Sequence, residues 1–315
     1  MKNKPDLSIV VPVYNESDAV YHAYEVISGI MKENKISFEV IMVDDGSADD
    51  SFYHLSKLAE TNPELKVIKL VSNCGAHTAI RLGLELANGK MGVFMACDLQ
   101  EPADLIPKMI EKMSDKTDIV LAVRSNRDDS FKDKMLSKAF FFLMKNLVSK
   151  KLPSEGSSMY LMGEKALKAL RQYKERNMTI EGVFILNNLN CDTIEYQRES
   201  RKTGVSKWTL SKKIKIFIDF FVAYSIMPIR LVSTVGILFF FIGIVWVSVI
   251  LVRYFTNEDF QQGWPTLISV LLLGFGITNI SLGIIAEYLW RTLDETRGRP
   301  RYIIDQKLNF ENANT

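Results

Sequence analysis

Several absences narrow what this chain can be. Its 315 residues hold only three cysteines, Cys74, Cys97 and Cys191. Three scattered cysteines make neither a disulfide framework nor a zinc site, so they read as reduced thiols behaving as small apolar side chains. The formal net charge is only +2, so nothing global calls for nucleic acid. No secretory signal is expected: Met1 to Asp6 is polar, and the first apolar run, Leu7 to Val13, has the length of a strand. Neither GxGxxG nor GxxxxGK[ST] occurs, which disfavours a dinucleotide dehydrogenase and a P-loop NTPase. No internal repeat or low-complexity tract stands out.

What is present falls into two parts. In the last third, Leu231 to Val252 carries no charge over about 22 residues, and Pro265 to Ala286 is a second such run. Each is long enough to cross a bilayer core of roughly 30 Å. A buried core helix is the bland alternative, disfavoured because two uncharged runs of this length are rare in a soluble domain. Lys207, Lys212, Lys213, Lys215 and Arg230 precede the first run, and Arg291, Arg297, Arg299 and Arg301 follow the second. The joining loop sets Arg253 against Glu258 and Asp259. Positive-inside counting therefore expects both termini in the cytoplasm, and a multi-pass protein of the inner (cytoplasmic) membrane.

The first two thirds alternate strand and helix patterns. Leu7–Val13, Phe38–Val43, Leu65–Val71, Met91–Cys97 and Asp118–Val123 read as strands. Helices are expected from Ser17 or Asp18 to Glu33, from Asp49 or Asp50, over Ala76–Ala87 and over Ala103–Met113. The alternation with short turns argues an α/β, mostly parallel, doubly wound sheet. Three polar clusters follow strands: Tyr14-Asn15-Glu16, Asp44-Asp45-Gly46-Ser47 and Asp98-Leu99-Gln100. In a parallel sheet the strand C-termini share one edge, where open α/β sheets bind ligands. Acidic turns beside a diphosphate need a divalent cation with oxygen ligands, Mg²⁺ or Mn²⁺.

Val11-Pro12-Val13-Tyr14-Asn15-Glu16, Val43-Asp44-Asp45-Gly46-Ser47, Asn73-Cys74-Gly75 with Ala79 and Gly83, and Asp98-Leu99-Gln100-Glu101-Pro102 together resemble the family 2 glycosyltransferases of GT-A (Rossmann-like) fold. Arg201-Lys202-Thr203-Gly204-Val205-Ser206-Lys207-Trp208, followed by two apolar runs, is similar to the polyprenyl-phosphate subgroup, that of GtrB-type and dolichyl-phosphate mannose synthase enzymes. The resemblance implies a cytoplasmic GT-A domain over 1–206, an amphipathic juxtamembrane helix over 207–230, two transmembrane helices over 231–290 and a cytoplasmic tail over 291–315. It also implies inverting transfer of one sugar from a nucleotide sugar, by family habit a UDP-hexose, to polyprenyl (undecaprenyl) phosphate. The product would be a lipid-linked donor for cell-envelope glycan or lipopolysaccharide O-antigen modification.

Site residues follow from the same resemblance. Pro12, Tyr14, Asn15 and Glu16 would line base and ribose, and Asp44 and Asp45 would bind the nucleotide, Asp45 reaching the base. Asp98 would hold the metal, with Gln100 as a neutral ligand, because departure of a nucleoside diphosphate develops negative charge. The family usually carries Asp-x-Asp here, and this chain has Ala96-Cys97-Asp98. Glu101 reads as a solvated acid before a proline. Ser158 stands where the family often has an acid, and would hydrogen-bond the donor sugar. A lipid phosphate is already anionic at pH 7, so it needs no strong general base. Arg124, Arg201 and Lys207 would meet phosphate, arginine in bidentate fashion and lysine as a point charge.

Trp208, Leu210, Ile214, Phe217, Ile218 and Phe221 form the apolar face of a basic helix suited to the headgroup plane, with Phe131–Lys151 as a second candidate. Gly236, Gly243, Gly274, Gly276 and Gly283 would allow close approach of spans or a homo-oligomer. Lys307–Thr315 reads as a frayed tail. A processive polysaccharide synthase would carry a Gln-x-x-Arg-Trp motif and more spans, both lacking here. A catalytically silent, membrane-anchored nucleotide-sugar-binding protein is the alternative that Ala96 prompts.

Overall fold

The structure is a computed structural model. It describes residues 4–124, 157–175, 178–196 and 263–310, together with 234–236, 238, 241–245, 248, 249, 252, 255 and 256. Arg201, Lys207 and the two basic helices expected at 207–227 and 131–151 lie outside the described residues. The chain divides into two compact units, Met1–Lys207 with Pro300–Thr315, and Trp208–Arg299.

The first unit is built on one eight-stranded sheet. Its strands are β1 (Leu7–Val13), β2 (Phe38–Asp44), β3 (Leu65–Leu70), β4 (Met91–Phe94), β5 (Ile119–Arg124), β6 (Ser157–Met162), β7 (Cys191–Tyr196) and β8 (Ile304–Leu308). Their order is β7-β5-β6-β4-β1-β2-β3-β8. Strands β4, β1, β2 and β3 run parallel, as do β5 and β7. The sheet is nevertheless mixed, because β6 runs antiparallel between β4 and β5, and β8 runs antiparallel along β3. The mostly parallel expectation missed β6 and β8, whose segments lie outside the strand–helix alternation. The tail read as frayed, Lys307–Thr315, contributes the last two residues of β8, which covers the open edge of β3.

Central strands are apolar on both faces because helices cover both. Leu7, Ile9, Val11, Val13, Val40 and Met42 are fully buried, facing α1 (Val20–Glu33) and α2 (Ser51–Thr61) in the main core. On α1, Val20, Ala23, Tyr24, Ile27 and Met31 recur at three- and four-residue spacing and make its buried face. Helix α3 (Ala76–Leu86) covers β1 and β2 from the other side. Helices α4 (Leu105–Glu111), α5 (Glu164–Gln172) and α6 (Ile180–Leu186) complete the unit.

The sheet end away from the strand C-termini is held by a buried polar cluster. Glu39 accepts from the Ser8 hydroxyl and the Asn88 N–H, both at 2.5 Å, and pairs with Lys66 at 2.5 Å. The Ser8 oxygen in turn accepts the Gly89 N–H at 2.8 Å.

In the second unit, α7 runs from Trp264 to Thr296, 33 residues. Arg291 pairs with Glu287 one turn earlier at 3.0 Å. Among the described residues no helix is long and apolar enough to cross a membrane, the side chains of 264–266, 268, 269, 272 and 273 in α7 lying outside them. Most apolar side chains of this unit that are described are exposed, Phe255 to 80% and Phe275 to 70%.

Candidate active site

The sheet reverses its winding at β1, which has β2 on one side and β4 on the other, both parallel to it. Such a switch point opens a crevice at the strand C-termini, because the connections leave to opposite sides. The loops after β1, β2 and β4, which hold expected ligand residues, all leave from this edge.

The β1 and β2 loops are stitched together by backbone-to-side-chain bonds. The Asn15 N–H donates to Ser47 Oγ at 3.0 Å, and the Ala48 N–H donates to Asn15 Oδ1 at 2.9 Å. Glu16 N–H donates to Ser51 Oγ at 2.9 Å, and Ser17 N–H to Asp49 Oδ2 at 3.2 Å. Asn15 sits at φ 54°, a left-handed conformation that asparagine tolerates. Helix α1 is capped by neither Ser17 nor Asp18: its N-cap is Ala19, with no side-chain cap bond. Pro12 is half-buried within β1, and Tyr14 projects into solvent.

Asp44 and Asp45 are both buried, and they do different work. Asp45 Oδ1 accepts the Cys74 N–H at 2.7 Å, and Oδ2 accepts the Gly75 N–H at 2.8 Å. The side chain expected to reach the base thus also holds the turn that opens α3. Gly75, at φ 91°, is the α3 N-cap and has no side-chain cap bond. Gly46 lets the two loops touch: a Cβ there would stand 2.7 Å from the Ser72 carbonyl carbon. Asp44 Oδ1 accepts the Ser47 N–H at 3.1 Å, while Oδ2 is buried with no partner among the described residues. Burial raises the Asp44 carboxyl above its ordinary range, against opposing bonds from Ser47 and the charge of Lys69. Burial likewise raises Asp45, against the Cys74 and Gly75 amides.

Strand β4 ends at Phe94, three residues short of the expected Cys97, where its ladder with β1 stops at the Val10–Phe94 pair. Asp98 therefore stands on a turn, exposed, with Leu99 at φ 50°. Asp98 Oδ1 accepts the Gln100 N–H at 3.3 Å, and the Gln100 amide also donates to Oδ2. The metal pair expected from sequence is thus in contact. Cys97 beneath it is pushed up to about 12 by burial, then by the charges of Glu16 and Asp98. Both carboxylates therefore lie near one thiol, which stays neutral and is no competing thiolate ligand. Ala96 is half-buried on the same turn.

Glu101 is not the solvated acid expected. It is buried and accepts the Tyr196 hydroxyl proton at 3.2 Å. Tyr196 ends β7, opposite Arg124 at the end of β5. This bond ties the Asp98 turn to the far side of the sheet, which sequence patterns do not reveal because the partners lie 95 positions apart. Arg124 and Ser158 have described backbones at the same edge. Ser158 is the extra residue of a bulge, since Ala122 pairs with Met159 and Val123 with Ser157; bulges often re-aim side chains beside active sites. Phe94, Tyr160 and Phe184 form an aromatic row below the edge, with ring centroids 4.4 and 5.5 Å apart.

Among the described residues no group of three or more His, Cys, Asp or Glu could hold a metal. One carboxylate, Asp98, with the Gln100 amide oxygen is nonetheless a donor set that Mg²⁺ or Mn²⁺ accepts when substrate phosphates supply the other ligands.

A model of glycosyl transferase family 2 matches residues 8–171, and one of the GtrB C-terminal hairpin matches residues 227–291. The chain is 32% identical over 306 residues to "Uncharacterized glycosyltransferase YkcC" of Bacillus subtilis (strain 168), covering 97% of this chain and 95% of that one. It is 28% identical over 303 residues to "Bactoprenol glucosyl transferase" of Shigella phage SfX, covering 96% and 99%. It is also 28% identical over 300 residues to "Prophage bactoprenol glucosyl transferase homolog" of Escherichia coli (strain K12), covering 95% and 98%.

Proposed function

The chain belongs to glycosyl transferase family 2 and is a glycosyltransferase, and we propose that it moves one sugar, with inversion, from a nucleotide sugar to polyprenyl phosphate. The observation that carries this reading is the union of two features in one chain. A strand edge with an exposed acid, Asp98, on the turn after β4 is followed by a GtrB-type hairpin over 227–291. Relatives matching over nearly the full length are named for transfer of glucose to bactoprenol, which supports a polyprenyl acceptor.

In the reaction, a lipid phosphate oxygen attacks the anomeric carbon from the face opposite the leaving group. The bond from that carbon to the nucleoside diphosphate breaks, and the electron pair leaves with the diphosphate. The nucleophile is already ionised, so no side chain has to take a proton. This fits an edge where serine, Ser158, stands in place of an acid. Tyr14, Asn15, Glu16, Asp44 and Asp45 form the donor side, Asp45 also fixing the Cys74–Gly75 turn. Asp98 and Gln100 would hold a divalent cation, which supplies charge stabilisation to the departing diphosphate. Arg124, at the end of β5, would meet phosphate.

Arg201 and Lys207 would receive the lipid phosphate. Only residues 197–200 separate Arg201 from Tyr196, at most about 18 Å of extended chain, and Tyr196 is anchored on Glu101. We place residues 231–290 in the membrane as two spans, with the catalytic unit in the cytoplasm. The support is the uncharged runs Leu231–Val252 and Pro265–Ala286 and the exposed apolar side chains. A 33-residue helix is also about 50 Å long at 1.5 Å per residue, more than a hydrocarbon core needs. UDP-hexose is the proposed donor. A homo-oligomer remains part of the reading, though among the described residues nothing lies within 4 Å of a Cβ built at Gly236, Gly243, Gly274, Gly276 or Gly283.

A donor screen tests the function. Membranes containing the full chain, undecaprenyl phosphate, Mn²⁺ and labelled nucleotide sugars should move label into the organic phase for at least one donor. Ala96 favours the second reading, a silent nucleotide-sugar-binding protein. That reading predicts no transfer and no metal dependence of nucleotide binding by calorimetry.

A further inference from the structure

We propose that the C-terminal segment 301–310 is a positioning element of the donor side of the active site. It follows α7 in the chain, yet it builds part of the catalytic unit.

The segment makes contact along its whole length. Burial, then the charge of Glu85 on α3, holds the half-buried Tyr302 hydroxyl above its ordinary range, and Glu85 is in turn held by the buried Arg81 at 2.6 Å. The Ile303 carbonyl accepts the Val71 N–H at 3.0 Å. Strand β8 then pairs with β3 from Leu70 back to Val67, with a register shift between Lys69 and Leu70. Asp305 lies 3.6 Å from Lys69. At the far end, Asn309 adopts φ 59° and aims its amide at the carbonyls of Ala59 and Leu65, both at 2.8 Å, and of Asn62 at 3.3 Å.

The Val71 contact gives this arrangement a functional meaning. Val71 directly precedes Ser72-Asn73-Cys74-Gly75, the turn whose amides fill the Asp45 carboxylate and against which Gly46 packs. That turn is fixed from inside by Asp45 and from outside by the Ile303 carbonyl. A strand that only covered the β3 edge would stop at Leu70 and would not need to reach α3. The inference rests on the reading that the Asp45 edge binds the nucleotide.

The test compares three forms of the full chain in detergent: the intact protein, one ending at Arg299, and Asn309→Gly. The glycine keeps the left-handed backbone but removes the three amide contacts. Amide hydrogen exchange and steady-state kinetics with the donor found by screening are read for each. In the shortened chain, exchange at residues 71–75 should quicken roughly tenfold, with β1 and β2 still protected. The donor KM should rise roughly tenfold, about the loss of one backbone hydrogen bond with its neighbours, with kcat little changed. A synthetic peptide of residues 300–315 should restore both. Asn309→Gly should shift both in the same direction by less.

Unchanged exchange at 71–75 and unchanged KM in a folded shortened chain would overturn the proposal. If the shortened chain loses protection throughout, Asn309→Gly decides, and unaltered exchange at 71–75 in that variant refutes it. Failure of the nucleotide reading shows itself separately, as an intact chain that turns over no donor; exchange at 71–75 then still decides the role of the segment.

Discussion

The Asp45 carboxylate accepts the Gly75 N–H at 2.8 Å, joining the end of β2 to the first turn of α3. Its other oxygen takes the Cys74 N–H. One side chain thereby converts two separate loops into one wall of the crevice, and the stability of that wall can be measured. Asp45→Ala leaves two amides without their charged acceptor and should cost about 2 kcal/mol or more. Gly46→Ala should cost about 1–3 kcal/mol, since it forces a Cβ onto Ser72 at φ 70°. Urea unfolding of both variants checks this, and both should raise the donor KM.

Asp98 is exposed, so its removal should separate activity from stability. Asp98→Ala should keep unfolding within about 0.5 kcal/mol of the parent and lower kcat/KM by about 100-fold or more. Ala96→Asp tests the same site from the other side. A second carboxylate on that turn should lower the Mn²⁺ concentration for half-maximal turnover by about tenfold, since ligand charge sets affinity for hard cations. A metal titration of turnover reads both variants.

Asp44 gives a pH signature. Burial raises its carboxyl in the folded protein, so between its ordinary value and the raised one the folded state binds more protons than the unfolded. Stability from this group is therefore present at low pH and is lost as pH rises through the raised value. Asp44→Asn removes the dependence. The variant should gain on the parent as pH rises from the ordinary carboxyl range toward neutrality, and the difference should vanish at low pH. Denaturant midpoints at several pH values check the sign.

The opposite end of the sheet has its own weak point. Glu39→Ala leaves Lys66 nearly buried without its 2.5 Å partner and strands the Ser8 hydroxyl and Asn88 amide. A loss of about 3 kcal/mol or more is expected, measured by unfolding of the variant, with donor KM unchanged while the protein stays folded.

Much of this was legible in the sequence, for identifiable reasons. Strands β1 and β2 were readable because burial on both faces makes them near-continuous apolar runs, and the acidic turns after them mark where those runs meet solvent. What escaped was set by distant pairing. Strand β8 sets three successive polar residues between Ile304 and Leu308, with no strand period to announce it until β3 supplies its partner. Strand β6 has no acidic cluster to announce it. Glu101 reads as solvent-exposed until Tyr196, 95 positions later, arrives to bury it. The dual role of Asp45 was hidden because two backbone amides, which carry no sequence identity, are its partners.

The central claim is that this chain makes a lipid-linked sugar monophosphate, and mass measurement of the lipid product tests it most directly. Full-length protein in membranes with undecaprenyl phosphate and a donor panel should yield a species heavier than the acceptor by one sugar residue. It should carry a single phosphorus and form about 100-fold more slowly, or not at all, with Asp98→Ala. Absence of that species with every donor, while a control transferase makes its own product under the same conditions, would contradict the account.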